Sequence, residues 1–460
     1  MVKDLNVEEN DEYSEPVSPT GQYFNSSVLS ICVLAVLDSD IPIDDSPTLS
    51  LLRDVFLPIN PRFSSVMVND ENGVKKWKKV EVKLEDHVNI PVFPPGLSPG
   101  SYDTHLRDYL SKIAMEQLPH NRPLWNIHII KYPTSNAAGN LIFKLHHSLG
   151  DGYSLMGALL SCLQRAENPT VPLTFPSLTS APTTKLSLEN NSFFKNIPNV
   201  LWSAFNTVSD FGWSLLKSTY VEDDKSMIRS GGYRGRVQAC SCLNNTINDV
   251  ITGIIFLGTR LYMQGTVGGS NKMNNEHTTA LVLLNTRTIG GYKSVKEMVK
   301  PDAESAWGNQ FGFLHVSLPE LSSAESCHPL DFVWKTKKLI QRKRNSSAVF
   351  LTGQLLECLR KYTGPEATAK YIHSTLKNSS MTISNVIGPV EQMALADHPV
   401  KGLYFMVVGV PQSLTITMMS YMGKLRVAVG TEKGYIDPTK FKSSIETAFG
   451  MILNASQEIA

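Results

Sequence analysis

The chain has 460 residues, 42% of them hydrophobic and 18% charged, with a net charge of +1 at neutral pH. That length allows two substantial domains, and that balance suits a folded globular protein rather than a disordered one. A near-neutral charge without a zinc-finger, helix-turn-helix or RNA-binding motif offers nucleic acid no recognisable surface, so no nucleic-acid partner is expected.

The chain opens acidic, with Asp4, Glu8, Glu9, Asp11 and Glu12, and lacks the basic and apolar regions of a signal peptide. Residues 1–16 read as a disordered tail. Residues 47–56 read as a helix with Ser46 as N-cap and Pro47 in the first turn, ending before Pro58. Strands are expected at 64–68 and 78–82. A helix is expected at 101–117, with Leu106, Leu110, Ile113 and Met115 among its apolar residues. Strands at 125–131 and 141–147 and a helix at 153–163 complete a first mixed domain, 17–167.

Residues 168–182 carry Pro169, Pro172, Pro176 and Pro182 among Ser and Thr, the composition of a linker. The linker region extends to 236 and includes a helical segment at 193–217. There Ile197, Leu201, Ala204, Phe205, Val208, Phe211 and Leu215 recur at helical spacing, with Asn199, Asn206 and Asp210 among them. An isolated Asp inside a bilayer is costly, so a full span is not expected. The segment either lies in a membrane interface, anchored by Trp202 and Trp213, or covers the protein's own core.

A second mixed domain occupies 237–460. It has a helix at 248–263, strands at 279–284 and 311–317, and helices at 330–344 and 350–361. Strands near 381–385, 404–408, 413–421 and 424–429 are expected to build its sheet, and a helix at 438–457 closes the chain. Lys335, Lys337, Lys338, Arg342, Lys343 and Arg344 form the most basic stretch, read first as a solvated helix face. The six cysteines show neither a disulfide framework nor a paired CxxC zinc pattern, and read as reduced thiols of a cytosol-facing protein.

The most informative stretch is His146-His147-Ser148-Leu149-Gly150-Asp151-Gly152, at the end of the hydrophobic strand Leu141-Ile142-Phe143-Lys144-Leu145. Side chains alternate along a strand, so His147 shares a face with Leu141, Phe143 and Leu145 while His146 points the other way. One imidazole, not two, should serve any one site, which argues against a metal held by both. An imidazole near its reference pKa of ~6.5 can accept a proton at neutral pH. Asp151 could fix its tautomer or hold the turn by a salt bridge, and Gly150 and Gly152 permit a tight turn.

This pattern, HHxxxDG, resembles the catalytic motif of the CoA-dependent acyltransferase superfamily. Further stretches agree: Asn121-Arg122-Pro123-Leu124-Trp125 before a strand, Asn248-Asp249 opening a helix, Leu284-Asn285-Thr286-Arg287, Trp307-Gly308-Asn309, and Ser384-Asn385-Val386-Ile387-Gly388-Pro389 ending a strand. In this order they make the chain similar to the plant-type wax ester synthase/diacylglycerol acyltransferase family, from Ser18-Pro19-Thr20-Gly21 to the final helix.

The resemblance implies an α/β fold of two chloramphenicol-acetyltransferase-like domains, each a mixed sheet with flanking helices. The active site would lie at their interface, one substrate entering from each end. The implied reaction moves a long-chain fatty acyl group from acyl-CoA to a long-chain fatty alcohol or to diacylglycerol. His147 would be the general base, with no acyl-enzyme; His146, Asp151 and Gly152 would support it. Asn248 or backbone N–H groups near Gly152 are candidates for the oxyanion, and Asp249 for that role or a helix cap. Pro123, Leu124, Trp125, Ser384 and Asn385 would belong to tunnel or scaffold. No permanent cofactor and no metal are expected; acyl-CoA enters as co-substrate, without a glycine-rich phosphate loop to hold it. The basic stretch at 335–344 could meet its phosphates or anionic lipid heads. A membrane surface is the expected partner, at the cytosolic face of the endoplasmic reticulum. A non-catalytic lipid-binding protein, or transfer to another alcohol or amine, is the alternative.

Overall fold

The computed structural model describes residues 14–71, 75–171, 173, 193–231, 237–245, 248–266, 277–287, 295–298, 307–320 and 328–458; for 14, 193–205, 237–245, 248–249 and 295–296 it describes the backbone alone. The acidic segment before residue 14 and most of the proline-rich linker lie outside these residues.

In chain order the first elements are β1 (Ser14–Pro16), α1 (Pro19–Phe24), β2 (Cys32–Ser39), α2 (Thr48–Leu51), α3 (Leu57–Ile59), β3 (Ser65–Asn69), β4 (Lys75–Lys79) and β5 (Val88–Asn89). Then come α4 (Pro99–Met115), β6 (Trp125–Ile130), β7 (Gly139–His146), α5 (Gly152–Ser161), β8 (Gln164–Arg165) and α6 (Phe193–Thr219). The later part holds β9 (Val237–Asn245), α7 (Asn248–Thr266), β10 (Thr279–Asn285), α8 (Val295–Met298), β11 (Phe311–Ser317) and α9 (Pro329–Arg344). It continues with α10 (Ala348–Thr363), α11 (Pro365–Lys377), β12 (Met381–Ile387), β13 (Met393–Leu395) and β14 (His398–Val408), and closes with β15 (Leu414–Tyr421), β16 (Lys424–Glu432) and α12 (Pro438–Gln457).

These strands form two large mixed sheets. One runs β5-β6-β7-β2-β14-β13-β8 and the other β11-β10-β12-β15-β16-β9, with a small β1-β4-β3 sheet beside the first. The first sheet buries Val33, Ala35, Ile127 and Phe143 with Leu155 and Leu159 of α5 on one face, and Leu34, Val36 and Ile142 with Leu106, Leu110 and Ile113 of α4 on the other. The second packs Ala280, Ile383 and Ile416 against α7, α9 and α12. A further apolar cluster joins Tyr23 and Phe24 of α1, Leu281 of β10, Ile372 and Leu376 of α11, and Val410.

The halves of the sequence are not the halves of the structure. β13 and β14 come from the C-terminal part but pair in the N-terminal sheet, with Tyr404 opposite Val36 and Phe405 opposite Ala35. The strand expected at 404–408 thus leaves the sheet assigned to it, and the unit 237–460 is not closed in space. A buried ion pair pins the crossing: Arg426 of β16 donates to Asp38 of β2, which also accepts from Asn140 Nδ2 at 2.8 Å. A Cβ on Gly402 would lie 2.1 Å from Arg426 Nη2, so glycine is what lets the guanidinium pass.

Local expectations also shift. Ser46 does not cap a helix; its hydroxyl donates to Asp44 Oδ2 at 2.8 Å, and Pro47 holds the N-cap position. The helix does not stop before Pro58. A π-helical turn at Leu52–Phe56 leads into α3, with the Leu57 N–H bonded to the Leu52 carbonyl. That wider turn makes room where the Pro58 ring would meet the carbonyl of residue 54. β4 lies three residues before its expected start because Trp77, fully buried, sets its inward face.

Candidate active site

β7 ends at His146, and His147 begins the turn that leads into α5. The His147 N–H still reaches the Ile31 carbonyl at 2.8 Å, so the turn stays tied to β2. The two imidazoles diverge. His146 lies between hydroxyls, with Nδ1 2.7 Å from Ser148 Oγ and Nε2 3.2 Å from Ser30 Oγ. His147 sits between Phe24 and Phe311, at ring-centroid distances of 5.0 and 5.4 Å.

Asn309 settles the state of the His147 ring. Its amide Nδ2 donates to the His147 carbonyl at 2.9 Å, which turns Oδ1 toward His147 Nδ1 at 2.8 Å. An amide oxygen can only accept, so Nδ1 carries the proton and Nε2 the lone pair. Among the described residues no group bonds Nε2. Burial lowers the His147 pKa below the usual 6.5, opposed by the Asp151 charge and the Asn309 bond. Burial, with lesser repulsion from His147, His120 and Lys144, takes His146 down to about 3. At neutral pH both rings are neutral, and His147 can accept a proton.

Asp151 caps α5, its Oδ1 accepting from the Ser154 N–H at 3.0 Å. Its Oδ2 accepts from Arg287 Nη1 at 2.5 Å and from the Gln310 N–H at 2.9 Å. Arg287 follows β10, so the salt bridge anticipated for the turn spans the two sheets. Segment 307–310 closes round the motif. The Trp307 indole donates to the Leu149 carbonyl at 2.8 Å, and the Asp151 N–H donates to the Gly308 carbonyl at 3.2 Å. Arg287 Nη2 donates to that same Gly308 carbonyl at 2.8 Å.

The two glycines of the motif differ. A Cβ on Gly150 would meet Ser154 Cβ at 2.9 Å, whereas one on Gly152 would make an ordinary 3.6 Å contact with Val386. Neither has a positive φ. Gly150 is required for space, and the fold does not require Gly152.

The other candidates separate. Pro123, Leu124 and Trp125 are buried scaffold: the Trp125 indole donates to the Phe63 carbonyl at 2.8 Å and its ring stacks on His87 at 4.1 Å. Ser384 is buried in β12 and Asn385 is exposed, and the side-chain hydrogen bond of His147 goes to Asn309 instead. Asn248 and Asp249 open α7, but their side chains lie outside the described residues. Arg287 and Asn309 were quoted in sequence motifs without a role. Their partners lie 136 and 162 residues away, a distance no local pattern carries.

Comparison with known proteins agrees with this geometry. A wax ester synthase/diacylglycerol acyltransferase catalytic-domain family model matches residues 33–229, and the C-terminal domain model of the same family matches 307–453. Wax ester synthase/diacylglycerol acyltransferase 4 of Arabidopsis thaliana is 28% identical, over 93% of this chain and 86% of its own. Number 6 of that organism is 27% identical, over 98% and 95%. Among solved structures, the wax ester synthase/diacylglycerol acyltransferase of Marinobacter aquaeolei VT8 superposes with a TM-score of 0.59 at 17% identity, over 96% of this chain and all of that one. The starter condensation domain of rhizomide synthetase RzmA, in complex with C8-CoA and Leu-SNAC, follows at 0.54 and 11%, over 97% and 94%. The fold is that of chloramphenicol-acetyltransferase-like enzymes, and the chain belongs to the wax ester synthase/diacylglycerol acyltransferase family, a family of acyltransferases.

Proposed function

We propose that this acyltransferase moves a long-chain fatty acyl group from acyl-CoA to a long-chain fatty alcohol, with His147 as general base. The observation that carries the reading is the pair of hydrogen bonds between Asn309 and His147, which leaves Nε2 as the free acceptor. A hydroxyl is a poor nucleophile while protonated. Nε2 takes its proton as the oxygen attacks the thioester carbonyl; the C–S bond then breaks and the imidazolium returns the proton to the leaving thiolate. No acyl-enzyme forms. The oxyanion needs fixed donors, and the candidates are Asn248 and backbone N–H groups near Gly152.

The same reading places the protein on a membrane, at the cytosolic face of the endoplasmic reticulum, where both acceptors dissolve. Among the described residues no helix is long and apolar enough to cross a bilayer. Over its described side chains, α6 faces inward with its polar side. Asp210, Ser214, Lys217 and Ser218 are buried, whereas Val208 is 70% exposed and Leu216 48%, with Tyr220 beyond the helix at 81%. The inward groups are paired: Asp210 with Lys343 at 2.6 Å and Arg342 at 3.1 Å, Ser214 with His315 at 3.1 Å, Lys217 with Asp223. A helix docked by its polar side presents its apolar side to a partner, and a lipid interface suits that inversion. Asp210 is therefore no obstacle to membrane contact. The basic stretch of α9 is partly spent on it.

The test offers purified protein radiolabelled palmitoyl-CoA with hexadecanol and diacylglycerol in competition. Wax ester should dominate; triacylglycerol as the main product reverses the acceptor, and no turnover of either refutes the reading. In cells, Val208→Ser with Leu215→Ser and Leu216→Ser should release the protein to the soluble fraction and lower activity on membrane-borne alcohol. Aggregation instead would show that this face is covered by the protein itself.

A further inference from the structure

A cavity of about 290 Å³ lies away from the histidines, lined by Arg229, His373, Lys377, Gln412 and hydroxyls of Ser230, Ser379 and Ser413. Its wall is basic. A Cβ on Gly231, another lining residue, would sit 2.8 Å from Lys225 Cε, so the Lys225 side chain packs beside the wall. Two buried donors of lining residues, Arg229 Nε and Gln412 Nε2, have no hydrogen-bond partner. An unpaired buried donor destabilises the fold, and an acceptor placed there recovers the loss.

Acidic groups are near but engaged. Glu222 accepts from Arg229 Nη2 at 3.0 Å. Glu432 accepts from both Ser230 Oγ and Ser413 Oγ at 2.7 Å. Asp223 is held by Lys217, Thr279 and Ser380. Asp224 Oδ2 accepts from the His277 N–H at 2.8 Å. No ion pair joins Lys225 or Lys377 to a described carboxylate. Unpaired donors beside unpaired ammonium groups call for an anion with several oxygens.

The cavity and His147 adjoin one apolar cluster. Phe24, which flanks that ring, belongs to the apolar cluster that holds Ile372, Leu376 and Val410. His373 and Lys377 follow Ile372 and Leu376 by one residue on α11, and Gln412 follows Val410 by two. β12 measures the separation. Val386 approaches Gly152, and Ser379 lines the cavity seven residues earlier, roughly 20 Å away at the rise of a strand.

We propose that this cavity binds the phosphate groups of the acyl-CoA donor, with Arg229, Lys225, Lys377 and Gln412 as its donors, while the thioester lies at His147. CoA carries its phosphates at the far end of the pantetheine arm, so their site must stand away from the base. This inference rests on the acyl-CoA reading above and supplies that reading with a binding site.

The experiment compares palmitoyl-CoA with palmitoyl-pantetheine, which lacks the phosphates, in wild type, Lys377→Glu and Lys225→Glu/Lys377→Glu. The ratio of kcat/KM for the two donors should fall about tenfold in the single variant and further in the double, the scale of one lost charge-assisted contact. Lys377→Arg should restore it, with the melting temperature as control for folding. Calorimetry with adenosine 3′,5′-bisphosphate reads the site without turnover: wild type binds and the double variant does not. An unchanged donor ratio overturns the proposal, as does bisphosphate binding that survives both substitutions. Inorganic phosphate binding as tightly as the bisphosphate also overturns it, in favour of a free-phosphate site. Should wild type bind the bisphosphate through these lysines yet turn over no acyl-CoA, the acyltransfer reading fails and the phosphate site stands.

Discussion

Asp151→Ala tests whether the carboxylate is a scaffold group. It removes an acceptor from three donors: Arg287 Nη1 at 2.5 Å, the Gln310 N–H at 2.9 Å and the Ser154 N–H at 3.0 Å. The Arg287 side chain is fully buried and that of Asp151 5% exposed, so the guanidinium keeps its charge while losing this carboxylate. Breaking one side of such a pair costs about 3–5 kcal/mol, and losing the helix cap about 1 more. Against a domain stability of about 5–15 kcal/mol that is a large share, worth a melting-temperature drop of roughly 4–6 °C in a chain of this size. Activity should fall with it, because the Gln310 N–H bond helps seat the segment that brings Asn309 to His147. Thermal unfolding and palmitoyl transfer are measured on the same preparation. Adding Arg287→Met to Asp151→Ala should recover part of the loss, since the stranded charge is the main cost. An unchanged melting temperature with lost activity would refute the scaffold role and move Asp151 into the chemistry. An Arg287→Met that simply adds its own loss would refute the stranded-charge account.

Other expectations follow from the same geometry. His147→Ala should lower kcat about 10²–10⁴-fold with the fold intact, and His146→Ala less, because its ring is held by Ser30 and Ser148; equal rates for wild type and His147→Ala end the mechanism. Asn309→Asp places a carboxylate at Nδ1 that favours the imidazolium, so the acid limb of the rate profile should move up by about one pH unit; no movement would break the link between Asn309 and the base. Stability should be full above the unfolded histidine value of about 6.5 and fall as pH drops below it. There the unfolded chain takes up protons that the folded chain refuses, since burial holds His146 to about 3 and His128 and His315 to about 4, with His87 also lowered. Each contributes up to about 1.4 kcal/mol per pH unit, and a melting temperature that rises from pH 7 to pH 5 contradicts it.

The sequence by itself determined the features that depend on neighbours along the chain. His147 and Asp151 stood out because a strand end, a turn and a helix start are local, and Asp151 was placed as the group that holds the turn. α12 was legible from Pro438 to Gln457, since a cap, a first-turn proline and a 3.6-residue period are read within one window. β2 was not. It lies between β7 and β14 with both faces buried, so Cys32-Val33-Leu34-Ala35-Val36-Leu37 shows no alternation to read. α11 was missed as well, although it supplies a wall of the cavity.

Only the tertiary structure decided the rest. Nothing in the Tyr404–Val408 pattern says whether it pairs with its sequence neighbours or crosses to β2, because both sheets bury the same apolar period; the Asp38–Arg426 pair and the space at Gly402 make the crossing specific. The partners that set the state of the base, Arg287 for Asp151 and Asn309 for His147, arrive from other elements. The direction α6 faces depends on Arg342, Lys343, His315 and Asp223, which turn an apparently membrane-averse Asp210 inward. Local periodicity records which residues share a face. What that face meets is fixed by contacts between elements far apart in sequence, and charge pairing there outweighed the hydrophobic pattern.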